Sequence, residues 1–184
     1  GLAFDKNGNL FCANRTGNTI LKITPSGSLS TFATGITKPQ FLAFDKKGNL
    51  FCSNFNSDTI LKITPSGTVS TFINSGLNGP QGLAFDKNGN LFCANRTGNT
   101  ILKITPSGTL STFATGITNP QFLAFDKNGN LYTGTQNNKL YRISSTGVVQ
   151  ELTITGAALD DVEGLAFDDK GNLYAVTNDD NNII

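Results

Sequence analysis

Residues 1–40 and 82–121 are identical except at two positions, Ser28 against Thr109 and Lys38 against Asn119. Looser copies occupy 41–81 and 122–163, and a partial fifth copy occupies 164–184, so the period is 40 to 42 residues. Each copy reads strand–turn–strand–loop–strand–turn–strand. A unit of this kind cannot bury its apolar face alone and must pack against its neighbours. The repeat therefore constrains the fold more than any other feature.

The first copy shows the elements. GLAFD is a short apolar run suited to a covered strand. DKNGN follows as a tight turn in which Gly8 supplies a positive φ. NLFCAN is a second strand and RTGN a polar loop. TILKITP is a third strand that ends at Pro25, PSG is a turn, and SLSTFA is a fourth, more polar strand. Apolar character falls from the first strand to the fourth. Four-stranded antiparallel sheets around an axis explain that gradient, with dry inner strands and a wet outer one. A β-solenoid is the rival architecture, but its coils are shorter and lack regular hairpin turns. The expected fold is an all-β propeller with four complete blades and part of a fifth, one domain or segment of a ring of about six. The partial last copy suggests a segment of a longer protein, or an arc that a second copy completes.

Composition narrows the chemistry. The 184 residues contain no His, Met or Trp, so the commonest general base and the commonest transition-metal ligand are missing. No apolar run approaches the roughly 20 residues of a membrane span. Net charge is +1, yet residues 1–150 hold 13 Lys/Arg against 5 Asp/Glu, and residues 151–184 hold 1 against 8. The basic residues recur once or twice per copy instead of clustering, so no nucleic-acid partner is expected. Cys12, Cys52 and Cys93 occupy one position of three successive copies. Packed sheets lie roughly 10 Å apart, beyond the approximately 7 Å Cα limit of a disulfide. The three thiols are thus expected to be reduced, small, buried apolar groups.

The motif GLAFDKNGNLF.AN...NTILKITPSG.LSTFA resembles the repeats of NHL-type propellers and of bacterial secreted propeller proteins. It is more distantly similar to virginiamycin B lyase and to the gluconolactonase/regucalcin family. The resemblance implies an extracellular or periplasmic location. In the gluconolactonase type a divalent metal sits at the central opening on carboxylate and amide side chains, several from the residue before a first strand. The matching positions here are Gln40, Gln81, Gln121 and Glu163. The family's second carboxylate has no counterpart in these repeats, and neither does the His base of virginiamycin B lyase.

The loops between second and third strands should share one face with those four residues. That face collects 14–18, 54–58, 95–99, 135–138 and 177–182, and the opposite face carries the DKNGN and TPSG turns. Arg15 and Arg96 recur at one loop position, with Phe55 in the copy between them. Arg and exposed aromatic residues commonly anchor binding surfaces. Asp160, Asp161, Glu163, Asp179 and Asp180 form an acidic group that could supply oxygen ligands to Ca²⁺. No other cofactor is expected.

The leading expectation is a non-catalytic scaffold that presents its polar loop face to a protein, peptide or glycan. The alternatives are a metal-dependent lactonase or hydrolase centred on Glu163, and a purely structural or engineered repeat propeller.

Overall fold

The DKNGN turn shows how each copy closes on itself. Asp5 Oδ1 accepts the backbone N–H groups of Asn7 and Asn9, both at 2.9 Å, and Asp5 Oδ2 accepts Asn9 Nδ2 at 2.7 Å. Gly8 follows the turn at φ 79°, a conformation that costs glycine least. Asp45, Asp86, Asp126 and Asp168 repeat the arrangement. The recurring carboxylates of the repeat are therefore spent on local turn geometry.

The computed structural model describes residues 1–155, 159 and 162–177. The first blade is β1 (Leu2–Phe4), β2 (Leu10–Asn14), β3 (Thr19–Ile23) and β4 (Leu29–Ala33). The second is β5 (Leu42–Phe44), β6 (Leu50–Asn54), β7 (Thr59–Ile63) and β8 (Val69–Ile73). The third is β9 (Pro80–Phe85), β10 (Leu91–Asn95), β11 (Thr100–Ile104) and β12 (Leu110–Thr115). The fourth is β13 (Ala124–Phe125), β14 (Leu131–Gly134), β15 (Leu140–Ile143) and β16 (Val149–Glu151), and β17 (Val162–Phe167) pairs with β18 (Leu173–Thr177) beyond it. Every pairing is antiparallel between chain neighbours. Phe55–Ser57 is the one helical turn among the described residues, and no described helix is long and apolar enough to cross a membrane.

The core lies between blades. Ile20, Ala33 and Ile36 of the first copy pack with Leu50, Cys52 and Ile63 of the second, and the same arrangement recurs at the next two junctions. Aromatic rings key each junction. Phe11 meets Phe44 at 5.0 Å, Phe51 meets Phe85 at 5.1 Å, Phe92 meets Phe125 at 5.1 Å and Tyr132 meets Phe167 at 5.0 Å, all edge to face. Such pairs add about 0.5–1.5 kcal/mol each beyond their buried area.

Two expectations need correction. The driest strands are the second, with β6 and β10 buried throughout, whereas among the first strands β1 is mostly exposed, β5 and β13 are largely half-buried, and β9 is buried over its first four residues. The first strands line a central cavity, and the second and third are covered on both faces by adjoining blades. Cys52 and Cys93 are fully buried, but Cys12 is half-buried. Its sheet is covered by another blade on one side, and Leu2 and Phe4 beside it are also exposed.

Candidate functional site

The connector that joins two blades is held by loops of both. Asn18 Oδ1 accepts Lys38 N at 2.9 Å, Asp58 Oδ1 accepts Gly79 N at 2.7 Å, and Asn99 Oδ1 accepts Asn119 N at 2.8 Å. Asn18, Asp58 and Asn99 sit at φ 55°, 49° and 54°, a region short polar side chains tolerate best. On the forward side, Asn95 Oδ1 accepts Asn78 N at 2.6 Å and Arg96 N donates to Gly79 O at 3.0 Å. The second-to-third strand loops and the connectors thus form one face, opposite the DKNGN turns.

Arg96 ties three copies together on that face. Its guanidinium lies 5.7 Å from the ring centroid of Phe55 in the second copy, and Nη2 donates to Gln136 Oε1 in the fourth. Phe55 is half-buried in the junction beside Gly79, Arg96 is half-exposed, and Gln136 is exposed. Gln136 lies within the 135–138 loop but carries no motif of its own. Arg15, at the equivalent position of the first copy, is exposed beside Thr16 and Lys38.

Gln40, Gln81, Gln121 and Glu163 differ in exposure. Gln40 and Gln121 are half-buried, and their backbone N–H groups donate to Ser53 O at 3.0 Å and Gly134 O at 2.9 Å. Glu163 is exposed and lines the central cavity. Gln81 is 6% exposed, and its Oε1 is buried without a hydrogen-bond partner among the described residues. A buried acceptor left in that state costs about 1–3 kcal/mol.

The central cavity, about 520 Å³, is mainly apolar and lined by the starts of the first strands. One position alternates down the copies as Gly1, Phe41, Gly82, Phe122 and Gly164. A Cβ on Gly82 would stand 2.3 Å from Gln121 O, so the chain passes there without a side chain. Phe41 and Phe122 then meet across it, centroids 5.2 Å apart. The alternation was visible in the sequence and marks a duplicated unit of two blades.

Asp160, Asp161, Asp179 and Asp180 lie outside the described residues. Among the described residues no group of three His, Cys, Asp or Glu side chains stands close enough to hold a metal. Burial pushes the Cys52 and Cys93 thiols up to about 12, so neither is a nucleophile near neutral pH.

Known proteins agree with this architecture. The family model for the virginiamycin B lyase family matches residues 1–184. Virginiamycin B lyase from Staphylococcus aureus is 20% identical, with a TM-score of 0.81 over 100% of this chain and 68% of its own. A propeller in a nidogen/laminin complex is 20% identical, with a TM-score of 0.84 over 96% of this chain and 71% of its own. A gluconolactonase from Xanthomonas campestris is 15% identical, with a TM-score of 0.78 over 93% of this chain and 66% of its own. None of the curated protein sequences matches. The chain spans about two thirds of the length of these solved relatives. It is an all-β propeller chain and belongs to the virginiamycin B lyase family.

Proposed function

We propose that this chain is a binding propeller without catalysis of its own, holding a protein or peptide, or less well a glycan, on its loop face. One observation carries the reading. Arg96 lies between Phe55 and Gln136, so a cation, an aromatic ring and an amide from three copies form one ridge. Arg and aromatic side chains dominate the energetics of protein interfaces. Two residues after the Gly79 that Phe55 packs against, Gln81 keeps an acceptor that no protein group uses among the described residues. Peptide amides offer donors for such an acceptor.

The lyase and lactonase names of the relatives do not carry over easily. These 184 residues contain no His, and the four positions before the first strands supply three amides and one carboxylate. Hard cations favour several oxygen ligands, anionic ones above all. A metal-dependent hydrolase centred on Glu163 is the second reading, favoured by that residue's place on the central cavity.

Turnover separates the readings. The chain is incubated with quinupristin, the molecule present in a structure of a catalytically inactive virginiamycin B lyase. A parallel incubation uses a sugar lactone with added Ca²⁺. The binding reading expects both compounds to be recovered unchanged by liquid chromatography. Consumption of the lactone that depends on Ca²⁺ and is lost in Glu163→Gln would establish the hydrolase reading instead.

A further inference from the structure

On the turn face, three clefts repeat between successive blades. The first lies between the first and second copies, with a volume of about 350 Å³, and is lined by Phe32, Phe44, Lys22, Lys46, Lys47 and Asp45 among others. The second, about 320 Å³, has Phe72, Phe85, Lys62 and Lys87 in the same roles. The third, about 280 Å³, has Phe113, Phe125, Lys103 and Lys127. These volumes fall at the small end of ligand pockets, which run roughly 300–1,000 Å³.

The chemistry is the same each time. Two half-buried Phe rings form the wall. A Lys ammonium stands 5.8 to 5.9 Å over a third, buried ring, Phe11, Phe51 or Phe92. Further lysines on the turns stand exposed at the rim. None of the lysines lining the clefts is within ion-pair distance of a carboxylate, since Lys139–Glu151 is the one ion pair among the described residues. The turn aspartates keep their charge and are held in place by the turn itself, as Asp45 is by Lys47 N, Asn49 N and Asn49 Nδ2, but the lysines outnumber them in every cleft. The result is a row of clefts with an excess of cations over apolar walls.

We propose that the three clefts bind one acidic polysaccharide chain at spaced residues, because clefts one blade apart, roughly 10 Å, stand farther apart than neighbouring sugars. A pyranose ring offers an apolar C–H face to the Phe walls, and its carboxylate offers a counter-ion to the lysines. Its hydroxyl groups can donate to the turn aspartate in each cleft. The lysines are spread over the clefts instead of forming one clustered basic patch of the kind a nucleic acid uses. Three like clefts in a row suit a repeating ligand, because each further engagement is intramolecular. This surface lies on the face opposite the Arg96 ridge, so either proposal can fail without the other.

Titration calorimetry with polygalacturonate tests the proposal, with dextran and an oligothymidylate as comparison polymers. Binding to polygalacturonate is expected at low salt and should weaken at least tenfold at about 0.5 M salt, where the Debye length is only a few ångströms. Dextran should not bind, and oligothymidylate should bind at least tenfold more weakly. Each of Lys22→Gln, Lys62→Gln and Lys103→Gln should weaken binding about three- to tenfold, and the triple variant about a hundredfold. Lys139→Gln removes the same charge outside the clefts and should change nothing. Should the triple variant fail to fold, Lys46→Gln with Lys87→Gln and Lys127→Gln removes exposed rim charges and should weaken binding at least tenfold. Absent binding at low salt, equal binding of dextran or oligothymidylate, or full binding by a folded triple variant would overturn the assignment.

Discussion

The ring of Phe55 fills the space that a side chain on Gly79 would need. A Cβ built on Gly79 stands 2.8 Å from Phe55 Cε2 and 2.5 Å from Thr97 Oγ1. The equivalents of Gly79 in the first and third copies are Lys38 and Asn119, and those of Phe55 are Arg15 and Arg96. The large ring and the missing side chain occur together in the second copy. They place the aromatic surface on which Arg96 rests.

Gly79→Ala should therefore be costly. It combines overpacking with a φ of 65° that L-residues avoid, an expected loss of about 2–4 kcal/mol. Urea unfolding reads this directly. A loss below about 0.5 kcal/mol would show that the ring yields at little cost.

Lys38 gives the opposite prediction. It holds φ 47° where its near-identical twin holds Asn119 at φ 49°, and Asn tolerates that region better. Lys38→Asn should raise stability by about 0.5–1 kcal/mol. Its backbone hydrogen bond to Asn18 Oδ1 is kept, so a thermal shift downward would contradict this account.

The fold was legible because every structural device recurs in the sequence at a fixed position. Asp5 and Asn9 spell the first turn, and Pro25 and Gly27 the second. The loop face was legible for the same reason, since 14–18 and 95–99 return at the same point of the repeat. Which side chains meet across blades was not, because such contacts depend on how far one sheet is rotated over the next. Thus Arg96 and Phe55 were recognisable as candidates, whereas Gln136 became one only when its blade was placed beside Arg96. Gln40, Gln81, Gln121 and Glu163 looked equivalent by motif. Burial separates them, leaving Glu163 on the cavity and Gln81 inside. The acidic group at 160–161 and 179–180 lies outside the described residues.

The cysteines should differ under native thiol labelling. Burial holds Cys52 and Cys93 as thiols with pKa about 12, and Cys12 is half-buried. At pH 8 one thiol per chain, Cys12, should react promptly, and Cys12→Ser should abolish that phase. Rapid labelling of all three, or of Cys52 or Cys93 first, would contradict the packing.

Acid should weaken the turns. The Asn172 side chain, with backbone N–H groups of Asn172 and Lys170, holds Asp168 below the usual carboxylate range. At Asp126 desolvation pushes the pKa up, but hydrogen bonds from Asn130 and Asn128 outweigh it and the net shift is downward. A carboxylate depressed in the folded state contributes stability above its unfolded value, near 4, and loses it as pH falls through the lower folded value. Melting temperature should thus hold from about pH 6 to 4 and drop below that, with a smaller drop in Asp126→Asn. A melting temperature that rises as pH falls below 4 would reverse the sign.

The loop-face account is tested most directly at Gln81, where stability and binding should move in opposite directions. Gln81→Met keeps the side-chain volume and removes the unpartnered buried acceptor, so it should raise stability by about 1 kcal/mol. If that acceptor serves a ligand, the same variant should lose binding on a tiled peptide array on which the unaltered chain binds. The loss should be at least tenfold, about 1.4 kcal/mol, as it should be for Arg96→Ala, while Lys170→Ala on the opposite face binds normally. The account predicts a Gln81→Met protein that is more stable and does not bind. A stabilised variant that binds peptide as tightly as the unaltered chain would contradict it, as would an unaltered chain that binds no peptide on the array.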